Sequence, residues 1–290
     1  MPIVDHDGIR LVTQVFGRPG DPAILLVMGA TASMLGWPDA FCLALAERGH
    51  HVIRFDHRDT GQSTTLEPGT ADYAVEDMAA DVRAILEAHG LDCAHLVGMS
   101  LGGYIAQMLA VTDPWRVGSL TLIASEPLGW DGPPLPQISD AFLAHFGQLA
   151  GLDWTDGPAV AAFLVETERL CAGPAFPFDA AREAQRVARV LARTDSPASM
   201  FNHAALTVRE DWAGRFRQIA CPVLVLHGEA DPILPVENGR ALAEGVPGAR
   251  LTILPGVGHE LPLPLLAGIA GQVADHVQRA EARAASVSRS

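Results

Sequence analysis

The sequence predicts an α/β fold: a mostly parallel central sheet flanked by helices, with an inserted helical cap. Over residues 9–124, short apolar segments alternate with segments of helical periodicity, which is typical of strand–helix–strand units in a parallel sheet. The alternation is absent from about residue 127 to residue 215 and then resumes. With 290 residues and 49% hydrophobic residues, the chain is long enough to bury a large core without disulfides or metals.

The first part of the chain contains the regular strand–helix alternation. Short apolar runs bounded by turn-forming residues predict strands at 9–15, 23–27, 51–55, 94–98 and 120–124. Apolar residues at helical spacing predict helices at 40–48, 73–89 and 101–111. The run AILLV at 23–27 has no polar residue and is therefore predicted to be buried on both faces of the sheet.

The middle of the chain has a different composition. Helical stretches at 137–149 and 180–193 are interrupted by Gly and Pro, and residues 127–215 hold three of the five Trp and six of the ten Phe. Strands at 222–226 and 250–254 and a helix at 264–279 follow, with a tail after Ala280 that we expect to fray. We therefore predict a core of residues 1–127 and 214–290 and a helical cap of residues 128–213, called the insertion below.

Composition excludes several function classes. The formal net charge is −14, and all 20 basic residues are Arg. Without Lys there is neither a Schiff-base lysine nor a GxxxxGK[ST] phosphate loop. The acidic balance argues against nucleic acid as a partner.

The N-terminal sequence lacks a signal-peptide pattern, and no apolar run approaches the length of a membrane span. We therefore expect a cytoplasmic protein with no membrane partner.

The four cysteines lie far apart, at Cys42, Cys93, Cys171 and Cys221. They form no CxxC pair and have no metal-ligand spacing, so we expect buried free thiols. The sequence predicts no metal and no cofactor.

A GxSxG pentapeptide is the strongest chemical signal. Gly98-Met99-Ser100-Leu101-Gly102 follows a predicted strand and opens a predicted helix, which is the context that a nucleophilic serine on a sharp strand-to-helix turn requires. The flanking glycines relieve clashes at such a turn. The sequence therefore indicates Ser100 as a nucleophile.

A nucleophilic serine needs a base, and the base needs an orienting acid. In this architecture the order along the chain is Ser, then Asp or Glu, then His. Asp231 follows the strand 222–226, and His259 follows the strand 250–254. Because parallel strands end at a common edge of the sheet, we expect Ser100, Asp231 and His259 to meet there.

Other acids and histidines remain as alternatives. Glu126 follows the strand 120–124, where some hydrolases place the acid, and Glu229 is expected on the other side of the Asp231 turn. His276 lies within the last helix, where we expect a solvated surface residue. His227 is expected to hydrogen-bond within its turn, and His57 to be structural or to support the site indirectly.

A tetrahedral intermediate needs two preorganised N–H donors. One is the backbone N–H of Leu101, directly after the serine. The other is expected from the loop Met28-Gly29-Ala30 after the strand 23–27, where the N–H of Ala30 is the candidate.

Taken together, the motifs resemble the α/β-hydrolase superfamily over nearly the whole chain. The matching stretches are LLVMGATASMLGWPDAF, HVIRFDHRDTGQSTT, HLVGMSLG, HGEADPI and PGVGHELP. Most members carry His-Gly at Met28-Gly29 and Arg-Gly-x-Gly-x-Ser at 58–63. Both departures are similar to those of the aclacinomycin methylesterases and of serine esterases that open macrolide rings.

The resemblance implies a serine esterase without cofactor, with Ser100, Asp231 and His259 as the triad and the amides of Ala30 and Leu101 as the oxyanion hole. The aromatic-rich insertion carries no matching motif. It indicates a bulky, apolar small-molecule substrate, which we expect to be a polyketide-type methyl ester or a macrocyclic lactone. The alternatives are a non-catalytic small-molecule receptor, a C–C hydrolase or a perhydrolase.

Overall fold

A computed structural model of the chain describes residues 2–287. Its centre is an eight-stranded sheet with the order β1-β2-β4-β3-β5-β6-β7-β8. Strands β1 and β2 are antiparallel to their neighbours, and every pairing from β4 to β8 is parallel. The strands are Ile3–His6, Ile9–Phe16, Ala23–Val27, His51–Phe55, Ala94–Met99, Val117–Ile123, Val223–Gly228 and Arg250–Leu254.

Eight α-helices accompany the sheet within residues 2–287. They are α1 to α8 in chain order: Asp39–Ala46, Val75–Ala88, Leu101–Thr112, Asp140–Phe146, Gly157–Cys171, Ala180–Leu191, Glu237–Gly245 and Leu266–Val287. Helices α4, α5 and α6 and the 3-10 helix Ser199–Ala205 lie between β6 and β7, in the insertion. None of the helices in this part of the chain is long and apolar enough to cross a membrane.

Two apolar clusters cover the two faces of the sheet. Strand β3 is wholly buried, and its side chains alternate between the clusters, with Leu25 in one and Leu26 in the other. Helices α2 and α3 pack in the first cluster, and α1 and α8 in the second. Burial of each such leucine contributes about 1.5–3 kcal/mol to the stability of the fold. The strands that carry the site are therefore held in place by a well-packed core.

The register of the parallel strands brings their carboxyl ends to one edge. Val27 pairs with Gly98, Gly98 with Leu122, Ile123 with Leu226 and Gly228 with Leu254. The loops after β3, β5, β7 and β8 therefore start side by side, and they contain the site residues expected from the sequence.

The predicted α/β fold is confirmed, with differences in single elements. Strand β6 begins at Val117, before the predicted residue 120, and strand β1 and helix α7 were not predicted. The expectation of a frayed tail after Ala280 is wrong for the described part, because α8 continues to Val287; residues 288–290 lie outside the described residues.

Two expectations about exposure are also wrong. His276 is not solvated: it is buried on the sheet side of α8, and its Nε2 lies 3.0 Å from the carbonyl oxygen of Leu120. The cysteines are free, as expected, but only Cys42 and Cys171 are buried, whereas Cys93 is exposed and Cys221 half-buried. Cys93 stands in the turn before β5, where the chain reaches the surface.

Candidate active site

Ser100 occupies the strained turn that joins β5 to α3. Its backbone has φ 52° and ψ −124°, a conformation that costs a non-glycine residue of order 1–3 kcal/mol. The neighbouring glycines permit it: a Cβ at Gly98 would overlap the carbonyl oxygen of Gly102, and a Cβ at Gly102 would overlap that of Val27. The sharp turn thus depends on both glycines of the pentapeptide.

Backbone hydrogen bonds fix the Ser100 turn on both sides. Its N–H donates to the carbonyl of Ile123 at 3.0 Å, and its carbonyl accepts from Gly103 N at 2.9 Å. The hydroxyl of Ser125 also donates to this carbonyl, at 2.9 Å. The Ser100 side chain is left free of the turn and faces the cavity described below.

Asp231 and His259 form a hydrogen-bonded pair beyond the ends of β7 and β8. His259 Nδ1 donates to Asp231 Oδ2 at 2.8 Å. The other carboxylate oxygen, Oδ1, accepts from the amides of Ile233 and Leu234 at 2.9 and 2.8 Å. The Asp231 carboxylate is buried, and both of its oxygens accept hydrogen bonds. Because Nδ1 of His259 is used in this pair, Nε2 is the free nitrogen of the ring.

One cavity of about 590 Å³ joins these groups. Ser100 and His259 both lie in its wall, together with Met28, Gly29 and Ala30. Among the described residues, Ser100 makes its hydrogen bonds through its backbone. The Ser100 hydroxyl and the His259 ring both face the cavity, with no direct hydrogen bond between them in this part of the chain. Such contacts are commonly long in a free site and tighten when substrate binds.

The insertion supplies most of the remaining wall. Its apolar part consists of aromatic and aliphatic side chains, among them Ile138, Phe142, Leu143, Phe146, Leu164, Phe176, Phe178 and Phe201. At another part of the wall Arg186 lies between Glu168, at 2.5 Å, and Glu183, at 2.7 Å. The insertion also contacts the loop that holds the base, since the backbone N–H of His259 donates to Cys171 O at 2.8 Å.

The loop after β3 lies against Ser100. An added Cβ on Gly29 would come 3.1 Å from Ser100 Cβ, so a larger residue would press on the serine. The next two amides differ: Thr31 N–H donates to His203 Nδ1 at 3.1 Å, whereas Ala30 lies in the cavity wall. Leu101 begins α3, and the first amides of a helix have no partner within it.

The alternative acids do not contact His259. Glu229 is exposed and accepts the N–H of Gly256 at 3.1 Å. Glu126 follows β6, but it is Asp231 that bonds the imidazole. The side chain of Glu126 is not part of the cavity wall.

The other histidines near the site are buried and neutral. His227 Nε2 donates to Leu234 O at 2.7 Å within its turn, as expected, and burial lowers its pKa. His57 Nε2 donates to Met28 O at 2.9 Å, and burial lowers its pKa to about 3. His203 was not singled out from the sequence, because a lone histidine in the insertion carries no pattern that links it to the loop after β3.

Two of the aromatic residues grouped with the insertion pack in the main core instead. Trp212 packs in the cluster of α2 and α3, and its Nε1 donates to Glu76 at 2.8 Å. Trp130 packs against Phe216 with ring centroids 5.9 Å apart.

Within residues 2–287, no group of three His, Cys, Asp or Glu side chains is arranged to hold a metal ion.

Comparisons with known proteins identify the family of the fold. The family model described as the alpha/beta hydrolase fold matches residues 22–264. Rhodomycin D methylesterase DnrP of Streptomyces peucetius is 33% identical over 295 aligned positions, which cover 96% of this chain and 98% of that protein.

Solved structures give the same fold. An esterase from Exiguobacterium antarcticum has a TM-score of 0.77 at 20% identity and covers 95% of this chain and 98% of its own. The enol-lactonase from Burkholderia xenovorans LB400 has a TM-score of 0.75 at 21% identity, covering 96% and 100%. The matched family model, the full-length methylesterase relative and the shared sheet together show that this chain belongs to the α/β-hydrolase fold family.

Proposed function

We propose that this chain is a serine hydrolase that cleaves carboxylic esters through an acyl-enzyme. The observation that carries the proposal is one shared cavity. Ser100, on its strained turn, and His259, bonded to Asp231 at 2.8 Å, both face it. The relatives in the family include an enzyme named as a methylesterase, which favours an ester over the other bonds that this fold can cleave.

In the proposed reaction, Ser100 Oγ attacks the ester carbonyl carbon while His259 Nε2 takes the hydroxyl proton. Asp231 holds Nδ1–H of His259, so Nε2 is the basic nitrogen and the imidazolium is stabilised. The tetrahedral intermediate then expels the alcohol, which receives the proton from His259. His259 then deprotonates a water, which attacks the acyl-enzyme carbonyl. As the bond to Ser100 Oγ breaks, His259 returns the proton to Oγ, and the acid is released.

The negative charge on the intermediate needs two donors, for which we propose the amides of Ala30 and Leu101. Gly29 keeps the loop close to Ser100, and the Thr31 amide is already bonded to His203. Ala30 is therefore the available amide of the loop. The amide of Leu101 stands at the N-terminus of α3, where the helix favours negative charge.

We further propose a bulky, largely apolar ester of polyketide type, either a methyl ester or a macrocyclic lactone. A cavity of about 590 Å³ lies in the range that holds drug-sized molecules, about 300–1,000 Å³. Leu143 and Leu263 line it and are also 53% and 44% exposed, so its apolar surface continues to the mouth. Rhodomycin D methylesterase is similar along its whole length.

Ser100→Ala tests the reaction. The variant should lose about 10⁴–10⁶-fold in kcat on p-nitrophenyl acetate, and a fluorophosphonate probe should label the wild-type protein but not the variant. Ser286→Ala, at an exposed serine of α8, is the control and should keep activity and labelling. Unlabelled wild-type protein that binds a ligand without turnover would favour a receptor, and full activity of Ser100→Ala would refute the mechanism.

A parallel assay tests the substrate class. The wild-type protein is given p-nitrophenyl acetate, a macrolide lactone and an anthracycline methyl ester at equal concentrations. We expect kcat/KM to be higher for one of the two large esters, because only these fill the cavity. A preference for the acetate would contradict the proposed substrate while leaving the serine mechanism in place.

A further inference from the structure

Two buried histidines hold the loop that follows β3. His57 Nε2 donates to the carbonyl of Met28 at 2.9 Å, and His203 Nδ1 accepts from the amide of Thr31 at 3.1 Å. Gly29 and Ala30 lie between these two fixed points. The two imidazoles also touch each other edge to face, with centroids 6.0 Å apart. The stretch proposed to supply an oxyanion donor is thus tied at both ends.

The hydrogen bonds define the state of His203. Since a backbone amide can only donate, Nδ1 of His203 must be unprotonated and accept from Thr31. Its proton is then on Nε2, which donates to the carbonyl of Arg58 at 2.9 Å. Both ring nitrogens are used, and burial lowers the pKa of the ring. His203 is therefore a neutral connector between the loop after β3 and the loop after β4.

The backbone of Thr31 is strained, and its hydrogen bond to His203 helps to hold it in that conformation. Its φ is 60°, a left-handed conformation that a β-branched residue rarely adopts. A strained residue keeps such a conformation only where its surroundings hold it. The N–H of this same residue donates to His203 Nδ1, so loss of the bond would free the loop to relax away from Ser100.

His203 belongs to the insertion rather than to the sheet. It lies in the 3-10 helix Ser199–Ala205, which is fastened to the core by neighbouring side chains. Asn202 Nδ2 donates to Asp59 Oδ2 at 3.0 Å, and Ser199 Oγ donates to Leu66 O at 2.6 Å. Phe201 of the same helix lines the cavity. One short element thus contacts both the space for substrate and the loop of the proposed oxyanion hole.

We infer that His203 is a positioning residue, supplied by the insertion, that holds the Ala30 amide in place for the oxyanion through its hydrogen bond to Thr31. This inference rests on the proposed function. It predicts that His203 acts on the transition state and not on the ground-state affinity for the ester, because the bond holds the backbone next to the Ala30 N–H and His203 is not part of the cavity wall.

Three variants separate the two bonds of His203. His203→Leu removes both; His203→Asn keeps an acceptor at the place of Nδ1; His203→Gln reaches toward Arg58 but not Thr31. Removal of an oxyanion donor costs about 10²–10³-fold in kcat, so its misplacement in His203→Leu should cost about 10–100-fold, with KM changed less than about 3-fold. His203→Asn should recover most of this loss, and His203→Gln should not.

The readouts are kcat and KM on p-nitrophenyl acetate and the Ki of a phenyl trifluoromethyl ketone, whose serine adduct carries an oxyanion. The Ki should rise by the same factor as kcat falls. His276→Leu is the matched control, since His276 is equally buried and bonded to a backbone carbonyl far from the site. It should lower the melting temperature with kcat and Ki unchanged.

The outcomes distinguish the inference from the proposed function. If Ser100→Ala is inactive but the three His203 variants keep wild-type kcat and Ki, the inference is wrong and the mechanism stands. If Ser100→Ala remains active, the proposed function itself is wrong. Should His203→Leu fail to fold, Asn and Gln decide: equal kcat values for these two would overturn the role of the Thr31 bond.

Discussion

Arg193 and Asp56 form an ion pair between the insertion and the core, with Nη2 of Arg193 2.9 Å from Oδ2 of Asp56. The Asp56 side chain is fully buried beyond the end of β4, and its carboxylate also accepts from the amides of Met34 and Gln62. A buried carboxylate is costly without such partners. The pair therefore joins the insertion to the loops that border the site.

Arg193→Met should destabilise the protein. The substitution leaves the buried Asp56 carboxylate with its two amide donors only, and loss of a hydrogen bond to a charged group costs about 1.5–3 kcal/mol in the free energy of unfolding. Urea unfolding measures it. Arg189→Met, at an exposed arginine of α6, is the control and should change stability by less than about 0.5 kcal/mol. Equal effects of the two substitutions would contradict this assignment.

Asp231→Asn should lower kcat by about 10⁴-fold while the protein stays folded. The amide oxygen can still accept from Ile233 and Leu234, but the amide nitrogen then faces His259 Nδ1 and forces it to accept. The proton moves to Nε2, and the base is lost. Glu229→Gln should retain wild-type kcat; a loss of activity there, with Asp231→Asn active, would assign the acid to Glu229.

Gly102→Ala should abolish activity and destabilise the fold. The new Cβ would overlap the carbonyl oxygens of Val27 and Met28, and overpacking of this kind costs on the order of 1–3 kcal/mol or more. Gly271→Ala in α8 meets no atom within 4 Å and should stabilise the helix by about 0.5–1 kcal/mol. Melting curves and kcat of both variants check this. An active, stable Gly102→Ala protein would show that α3 can move away from β3.

Acid should destabilise the protein partly through His276. Burial lowers the pKa of His276 from 6.5 to about 4, so between these values the unfolded chain binds a proton that the folded state does not. Stability from this residue is complete above pH 6.5 and is lost as the pH falls toward 4, by about 1.4 kcal/mol per pH unit. Between pH 6.5 and 5.0, wild type should lose about 2 kcal/mol more than His276→Gln. Identical pH slopes in urea unfolding would mean that folding does not lower the pKa of His276.

Leu164→Trp should separate large from small substrates. Leu164 lines the apolar wall of the cavity on α5, and an indole there would occupy space that a bulky ester needs. We expect kcat/KM to fall at least about 10-fold for a large ester and to change less than about 3-fold for p-nitrophenyl acetate. A parallel loss for both esters would point instead to a disturbed site.

The sequence predicted the sheet well where burial alone decides it. Strand β3 has its predicted bounds because AILLV is buried on both faces of the sheet. The run is also too short to form a helix. Strand β1 was missed because it is an edge strand of four residues with mixed exposure, and helix α7 because it buries few apolar side chains and contains two glycines.

Histidines were harder to interpret than strands. A helical wheel would have placed His276 beside Val273 and Val277 on the buried face of α8, so this error had a signal against it. His203 had none, because its partners, Thr31 and Arg58, are distant in sequence and meet it only through the folded insertion. Contacts of this kind depend on tertiary structure, which periodicity and spacing do not report.

The left-handed backbone at position 100 belongs to the turn and not to the hydroxyl. The glycines at 98 and 102 and the carbonyl bonds to Gly103 and Ser125 impose it on whatever residue stands there. A cysteine or aspartate introduced by protein engineering would therefore inherit the same placement beside the imidazole. New chemistries could be installed on this scaffold by exchanging one side chain, provided that the two glycines are left untouched.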